Sequence, residues 1–374
     1  MANALYIHIP FCIRKCIYCD FTSVPYNPAL VKKYAEALCA ELRLNRDFAG
    51  GLDTIYLGGG TPSVMPEDFF KELFSCIRDV FAVSSSAEIT MEANPGTISK
   101  SKIETLFCIG VNRVSIGVQS LNDEELKTLG RMHDATDALH AVELISRAGI
   151  RNFSIDLMYG IPGQTPETWR ETLKGTLDLG PPHISSYELT PEKNTRLFDL
   201  MKSGEIELPS EDLILAMYDN AIDSFSSAGY KQYEISNFAR PGCLCAHNMN
   251  YWNRGEYIAV GTGAHSFLGG RRTKNTCDVE SYVNLLQRGL SPIAEVTEIS
   301  PDEELKEFIF LGLRKGEGID LKHDKIAATG IEDAVEDLIK NGHLGISADR
   351  LRLTGKGVLI SNSVIVAIFE RLHL

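Results

Sequence analysis

Apolar residues follow two alternating rhythms along the first half of the chain. Short runs rich in β-branched and aromatic residues fall at 4–10 (ALYIHIP), 53–60 (DTIYLGGG), 87–95 (AEITMEANP), 113–120 (RVSIGVQS), 152–160 (NFSIDLMYG) and 183–190 (HISSYELT). Between and after them, apolar positions repeat with the helical period at about 28–46, 66–82, 99–109, 134–149, 166–179 and 210–229. Such alternation predicts right-handed βαβ units and a parallel sheet. Six units in series predict an α/β fold, a partial (β/α)6 barrel related to the TIM barrel. A doubly wound open sheet is the other arrangement of the same elements.

A parallel strand buried on both faces should read as continuous apolar sequence. Three runs instead carry a polar residue near their C-terminal end: Glu92, Gln119 and Asp156. Polar side chains there usually face the active-site mouth of a barrel. One alone would fit a hydrogen-bonded core group equally well; three on successive strands point to a site.

The pattern changes near 235, which divides the chain into a barrel (1–235), a connecting segment rich in Gly, Asn and aromatics (236–299) and a C-terminal unit (300–374). In the last unit, PDEELKEFIFLGLRK and GIEDAVEDLIKNGH read as amphipathic helices. GISADRLRLTGKGVLISN reads as a hairpin running into a final helix, and the set predicts a small winged-helix-like domain. Winged helices often bind DNA, but residues 301–374 hold 13 acidic against 10 basic residues, and the whole chain has a net charge of −13. A phosphate backbone demands the opposite sign, so nucleic acid is not an expected partner. No run of about 18 uncharged apolar residues predicts a membrane span. The opening MANALYIHIPFC lacks the basic start of a signal peptide and predicts a cytoplasmic address.

Nine cysteines without a secretion signal argue for metal or redox chemistry rather than a disulfide framework. Three of them, Cys12, Cys16 and Cys19, fall within eight residues directly after the first predicted strand. Three thiolates can hold three irons of a [4Fe–4S] cubane and leave the fourth iron open to a small molecule. A zinc site would need a fourth ligand, for which Cys243 or Cys245 is a candidate; the short-loop spacing fits iron–sulfur better.

The C-x3-C-x2-C loop after strand one resembles the radical S-adenosylmethionine (SAM) proteins. That resemblance implies that the amino and carboxylate groups of SAM chelate the open iron, and that an electron from the cluster can cleave the sulfonium to a 5′-deoxyadenosyl radical. In the family, a glycine-rich turn contacts the methionine amino group, which carries Gly59, Gly60 and Thr61 of GGGTP over as SAM contacts. The resemblance also implies ligand-holding roles for Glu92 in MEANP, Gln119 in GVQS, Arg131 in LGRMH and Asp156 in IDLMYG. A carboxylate suits ribose hydroxyls and Arg131 suits the methionine carboxylate. Tyr6 and Tyr18 flank the cysteines and are candidates to pack against cluster or adenine.

Within the superfamily, YIHIPFC, GGGTP, E-x-N-P-G, LGR-x-H and IDL-x-YG-x-P-x-QT occur in the order seen in oxygen-independent coproporphyrinogen III oxidases and the related HemW-like heme chaperones. The oxidases carry a further cysteine where this chain has Phe21, and a long segment before the cluster, where only eleven residues precede Cys12. His247-Asn248-Met249-Asn250-Tyr251-Trp252 matches the chaperones' H-N-x-x-Y-W signature. The resemblance therefore implies a heme chaperone that passes heme to a client hemoprotein, with coproporphyrinogen III dehydrogenation as the enzymatic alternative. It also makes His247 the candidate axial ligand, Cys245 its rival, and Tyr251 and Trp252 the ring contacts, at a segment expected to reach the barrel mouth. Without the resemblance, His247, Tyr251 and Trp252 read as ordinary core and loop residues.

Overall fold

A computed structural model describes residues 1–327 and 329–374. Six strands form a parallel array in chain order: β1 (Ala2–Ile9), β2 (Ala49–Gly59), β3 (Ala82–Ala93), β4 (Arg113–Gln119), β5 (Asn152–Tyr159) and β6 (His183–Glu188). The intervening helices are α1 (Pro28–Leu44), α2 (Glu67–Val80), α3 (Lys100–Cys108), α4 (Ala135–Arg147) and α5 (Pro166–Asp178), and α6 (Glu211–Ser227) follows β6. The sequence-predicted helices agree to within about two residues because their ends carry local signals. Asn27 caps α1 ahead of Pro28, Asp134 and Asp137 form a capping box on α4, and Thr165 and Thr168 do so on α5. Two short helices, Asp123–Thr128 and Arg196–Lys202, lie where no helix is predicted.

The strands alternate along most of their length. Leu5, Ile7, Ile55, Leu57, Met91, Ile116, Ile155 and Ile184 are fully buried in the main apolar core with the inner faces of the helices. Their neighbours Tyr6, Tyr56, Glu92, Ser115, Ser154, Asp156 and Ser185 contact one another across the strands and make a polar barrel interior. Two-residue periodicity thus separates an apolar outer layer from a polar inner one.

Residues 236–299, read from the sequence as a connector, contribute strands to this sheet. After β7 (Lys231–Glu234) the chain turns into β8 (Asn237–Ala239), which pairs antiparallel with β6; β9 (Ile258–Val260) pairs parallel with β1 at the opposite edge. Helix α7 (Ala246–Trp252) lies between β8 and β9 in sequence. The strands β10 (His265–Leu268), β11 (Arg271–Asn275) and β12 (Ile293–Glu298) form a separate antiparallel sheet, with α8 (Val279–Gln287) between the last two. Residues from 301 on begin with α9 (Pro301–Arg314) and have their own core around Ile309, Leu313, Val335, Leu351 and Ile365. Helix, short strand, helices, hairpin and helix follow in the winged-helix-like order. Arg254 joins the two units by pairing with Glu304 at 2.9 Å and Glu307 at 2.8 Å.

One buried carboxylate fastens the late segment to the barrel. Glu41 of α1 accepts hydrogen bonds from the Gly261 amide at 2.8 Å, Asn275 Nδ2 at 2.6 Å and the Tyr282 hydroxyl. Gly261 has φ +108, and a Cβ there would stand 2.6 Å from the His8 carbonyl oxygen, so no side chain fits. Burial pushes the Glu41 carboxyl up to about 7 against the three hydrogen bonds that pull it down, while its ordinary value is 4.5. Its raised folded-state pKa gives a stability contribution that is complete below 4.5 and lost as pH rises through about 7. Urea unfolding of wild type and Glu41→Gln should therefore show wild type losing about 2–3 kcal/mol relative to the variant from about pH 5 to pH 8. Parallel pH–stability curves would contradict the assignment.

Candidate functional site at the barrel mouth

The three predicted thiols sit at the C-terminal ends of the strands, as barrel chemistry requires. Their loop is pinned by backbone hydrogen bonds on all sides. Gly60 N–H donates to the Ile9 carbonyl at 2.8 Å and Thr61 N–H to that of Phe11 at 2.9 Å, so β1–β2 pairing continues past the strand ends. Tyr26 N–H reaches the Cys12 carbonyl at 2.9 Å, and Ile17 is tied to Leu129 and to Leu197. Cys12 is buried with its Sγ 3.5 Å from Thr61 Oγ1; Cys16 and Cys19 are half-buried. Burial pushes the Cys12 and Cys19 thiols up in the free protein.

All three cysteines line one cavity of about 150 Å³, together with Gly59, Gly60, Thr61, Glu92, Gln119, Arg131, Asp156 and Tyr18. Thus eleven of the predicted residues converge on a single cavity. Arg131 crosses it: Nη2 donates to Asn94 Oδ1 at 2.7 Å, Nη1 lies 3.6 Å from Cys16 Sγ and 3.5 Å from the Tyr18 hydroxyl, and Nε is buried without a partner. Glu92 accepts from the Tyr56 hydroxyl at 2.9 Å and the Gly59 amide at 3.0 Å, and burial raises its carboxyl to about 7. Asp156 accepts from Ser115 and Ser154, both at 3.0 Å, and its carboxyl is likewise pushed up by burial. Gln119 has φ +70, a strained setting for a side-chain-bearing residue, and receives the Tyr187 hydroxyl at 2.7 Å.

Gly60 lines the cavity, and its missing side chain also makes room for the thiol loop: a Cβ on it would meet the Phe11 carbonyl at 2.9 Å and Cys12 Sγ at 3.0 Å. Gly59 has φ +115, and its Cβ would strike the His8 ring at 2.5 Å. Tyr6 is not at the cavity. Its ring stacks on Tyr56 at 6.1 Å, and its hydroxyl meets His8 Nδ1 at 3.2 Å, one layer below. Asn94 and Tyr187 also line the cavity, and Tyr56 supports Glu92 from below, three residues beyond those expected. Asn94 stands in the E-x-N-P motif, and the two tyrosines fall on the polar face of their strands, so that alternation was the available signal.

The H-N-x-x-Y-W segment lies elsewhere than expected. It closes the N-terminal end of the barrel, the floor opposite the mouth. Glu88, four residues before Glu92 on β3, accepts from the amides of Ala246 at 3.1 Å and His247 at 3.0 Å and so caps α7. His247 is fully buried; Nδ1 meets Thr54 Oγ1 at 2.8 Å and Nε2 the Tyr251 hydroxyl at 2.8 Å, and its ring stacks on Tyr56 at 5.1 Å. Burial lowers its pKa to about 3. Thr54 precedes Gly59 by five residues, about 16 Å of strand. His247 therefore presents no free nitrogen, and the expectation of an open ligand at the mouth is corrected on that ground. Cys245 is buried beside Glu88, 3.5 Å from its Oε1, and burial pushes its thiol up to about 12. The Cys243 carbonyl lies at the floor beside Arg113, so neither cysteine completes a zinc site with the mouth thiols. Trp252 is half-buried in a crevice against α9.

This burial makes His247 a fold determinant. His247→Ala should lower stability by about 3 kcal/mol, because it opens a cavity and strands the hydroxyls of Thr54 and Tyr251. The urea midpoint measures it; an unchanged midpoint would contradict the floor assignment.

Comparison with known proteins agrees with this architecture. Residues 6–174 match the Radical SAM superfamily model and residues 299–360 the HemN C-terminal domain model. The chain is 36% identical to "Heme chaperone HemW" of Bacillus subtilis over 99% of this chain and 100% of that one. It is 37% identical to "Heme chaperone HemW" of Escherichia coli, over 97% of each. It is 33% identical to "Radical S-adenosyl methionine domain-containing protein 1, mitochondrial" of Bos taurus, over 99% of this chain and 88% of that one. The structure of coproporphyrinogen III oxidase (HemN) from Escherichia coli superposes with a TM-score of 0.85 at 22% identity, covering 98% of this chain and 90% of that one, a likeness of fold. Identity at this level along the whole chain, on a radical SAM barrel with three thiols at its mouth, makes this protein a member of the HemW heme-chaperone family.

Proposed function

We propose that this protein is a heme chaperone: it binds heme and transfers it to a client hemoprotein, on a scaffold that holds a [4Fe–4S] cluster and SAM. The observation that carries the cofactor reading is the mouth itself. Cys12, Cys16 and Cys19 share one cavity, and Arg131, Glu92 and Asp156 line it with them. Three thiolates on one short loop suit a polynuclear cluster that keeps an iron for a further ligand.

In this reading the cluster supplies an open iron for SAM and an electron for its cleavage. The protein's own groups do the rest. Arg131 stands 3.6 Å from Cys16 Sγ and offers its unpartnered Nε to a carboxylate. Glu92, Asp156 and Gln119 give acceptors along the cavity wall for an ammonium or ribose hydroxyls, and Thr61 and Gly59 shape its edge. Tyr18 covers the side next to Cys16 and Cys19.

Coproporphyrinogen III oxidation is the second reading, favoured by the fold likeness to that oxidase. Against it stand the relatives of 36% and 37% identity, which are heme chaperones by name, and Phe21 in the position where the oxidases carry a cysteine.

Anaerobic reconstitution should load about four irons per chain, and replacing Cys12, Cys16 and Cys19 by Ala should abolish them. Gly60→Val should lower iron content too, because its side chain would press on Cys12 Sγ. A triple variant that still carries four irons would overturn the ligand set. For function, hemin-loaded protein mixed with an apo-hemoprotein should deliver heme, followed by the acceptor's spectrum. The same preparation with SAM and a reductant should leave coproporphyrinogen III unconverted; sustained conversion without heme delivery would replace the chaperone reading by the oxidase one.

A further inference from the structure

Large apolar side chains left in water usually stand singly. Here three of the most exposed gather around the cluster cavity: Ile13 at 56%, Phe21 at 61% and Met132 at 59% exposure. Ile13 and Met132 line a second cavity of about 190 Å³ that adjoins the first, and Phe21 lines the first. Arg14 lines both and stands between them. Lys15 is held beside the phenylalanine by donating from Nζ to the Phe21 carbonyl at 3.1 Å. A chain of net charge −13 thus presents two adjacent cations set among apolar side chains at its reaction mouth.

Resting on the heme-chaperone reading, we propose that heme lies across this mouth on Ile13, Phe21 and Met132, with the Met132 thioether as iron ligand and Arg14 and Lys15 on the propionates. With the first cavity assigned to cluster and SAM, a macrocycle covers the mouth rather than entering it. The patch matches heme in kind: a flat apolar face, two carboxylates on one edge, and a metal that accepts a soft ligand. Met132 is the ligand-type side chain turned outward. Its neighbour His133 is buried, with Nε2 on the Val118 carbonyl at 3.1 Å, and His247 is at the floor with both nitrogens engaged. One thioether on one face, with the other face open to water, holds heme without enclosing it. That arrangement lets a client's own ligand approach from the free side, as hand-over requires.

The test uses full-length, cluster-loaded protein, so that the three cysteines are occupied, with hemin as probe. The chemically reduced heme complex should lose its thioether-ligated Soret position in Met132→Ala, and heme transfer to apomyoglobin should speed up about tenfold, the equivalent of one weak ligand bond. Met132→His should restore slow transfer with a different spectrum. Arg14→Glu with Lys15→Glu should weaken hemin but leave heme dimethyl ester, whose propionates are blocked, unaffected. All these residues are exposed, and retained cluster absorption verifies the fold. If wild type binds hemin and Met132→Ala keeps both spectrum and rate, heme sits elsewhere and the inference is overturned. If wild type binds no hemin, the chaperone reading itself fails, and this inference with it.

Discussion

The mouth depends on one close approach. At Gly60 the end of β2 passes within van der Waals contact of the thiol loop, and its amide extends the β1–β2 ladder to the Ile9 carbonyl. Thr61 repeats the pairing one residue on and places its hydroxyl against Cys12 Sγ. The loop that carries the three thiols is therefore an extension of the sheet. Thiols on a mobile loop would lose ordering entropy on binding any ligand; here the backbone hydrogen bonds of the fold already order the loop.

The polar interior links mouth and floor through a short stack. Glu92 at the cavity accepts from Tyr56, the Tyr56 ring lies on His247, and His247 bonds Thr54 and Tyr251. The H-N-x-x-Y-W segment thus supports the residue that supports Glu92. Its histidine acts on the site through packing, at about 16 Å below the strand ends. Two unrelated demands, a polar cavity for a charged ligand and a plugged barrel bottom, are met by the same alternation of strand residues.

Much of this was legible in the sequence, and the reasons are local. Helix ends were readable because Asn27, Asp134 and Thr165 cap them within three residues of the first turn. Strands and cysteines were readable because period and spacing are short-range. What was not legible depended on distant partners. The pairing of β9 with β1 joins Leu5 to Ile258, and no window of sequence contains both. His247 could not be placed because its depth is set by Thr54, 193 residues away; the motif names a residue type but not the side of the barrel. Gly60 is a close-approach position, as GGGTP predicts, but the sequence does not say that Cys12 faces its missing side chain. Asn94 and Tyr187 each look like an ordinary strand-end residue until Arg131 and Gln119 are brought against them.

The central claim is that three thiolates leave one iron of the cluster open toward the Glu92–Arg131 cavity. The most direct measurement is electron–nuclear double resonance on the reduced cluster, with SAM labelled by ¹⁵N at the methionine amine and ¹⁷O at its carboxylate. The account predicts hyperfine coupling from both labels, each lost when the corresponding label is omitted. An intact cluster that shows coupling to neither label, with SAM bound at saturation, would contradict it.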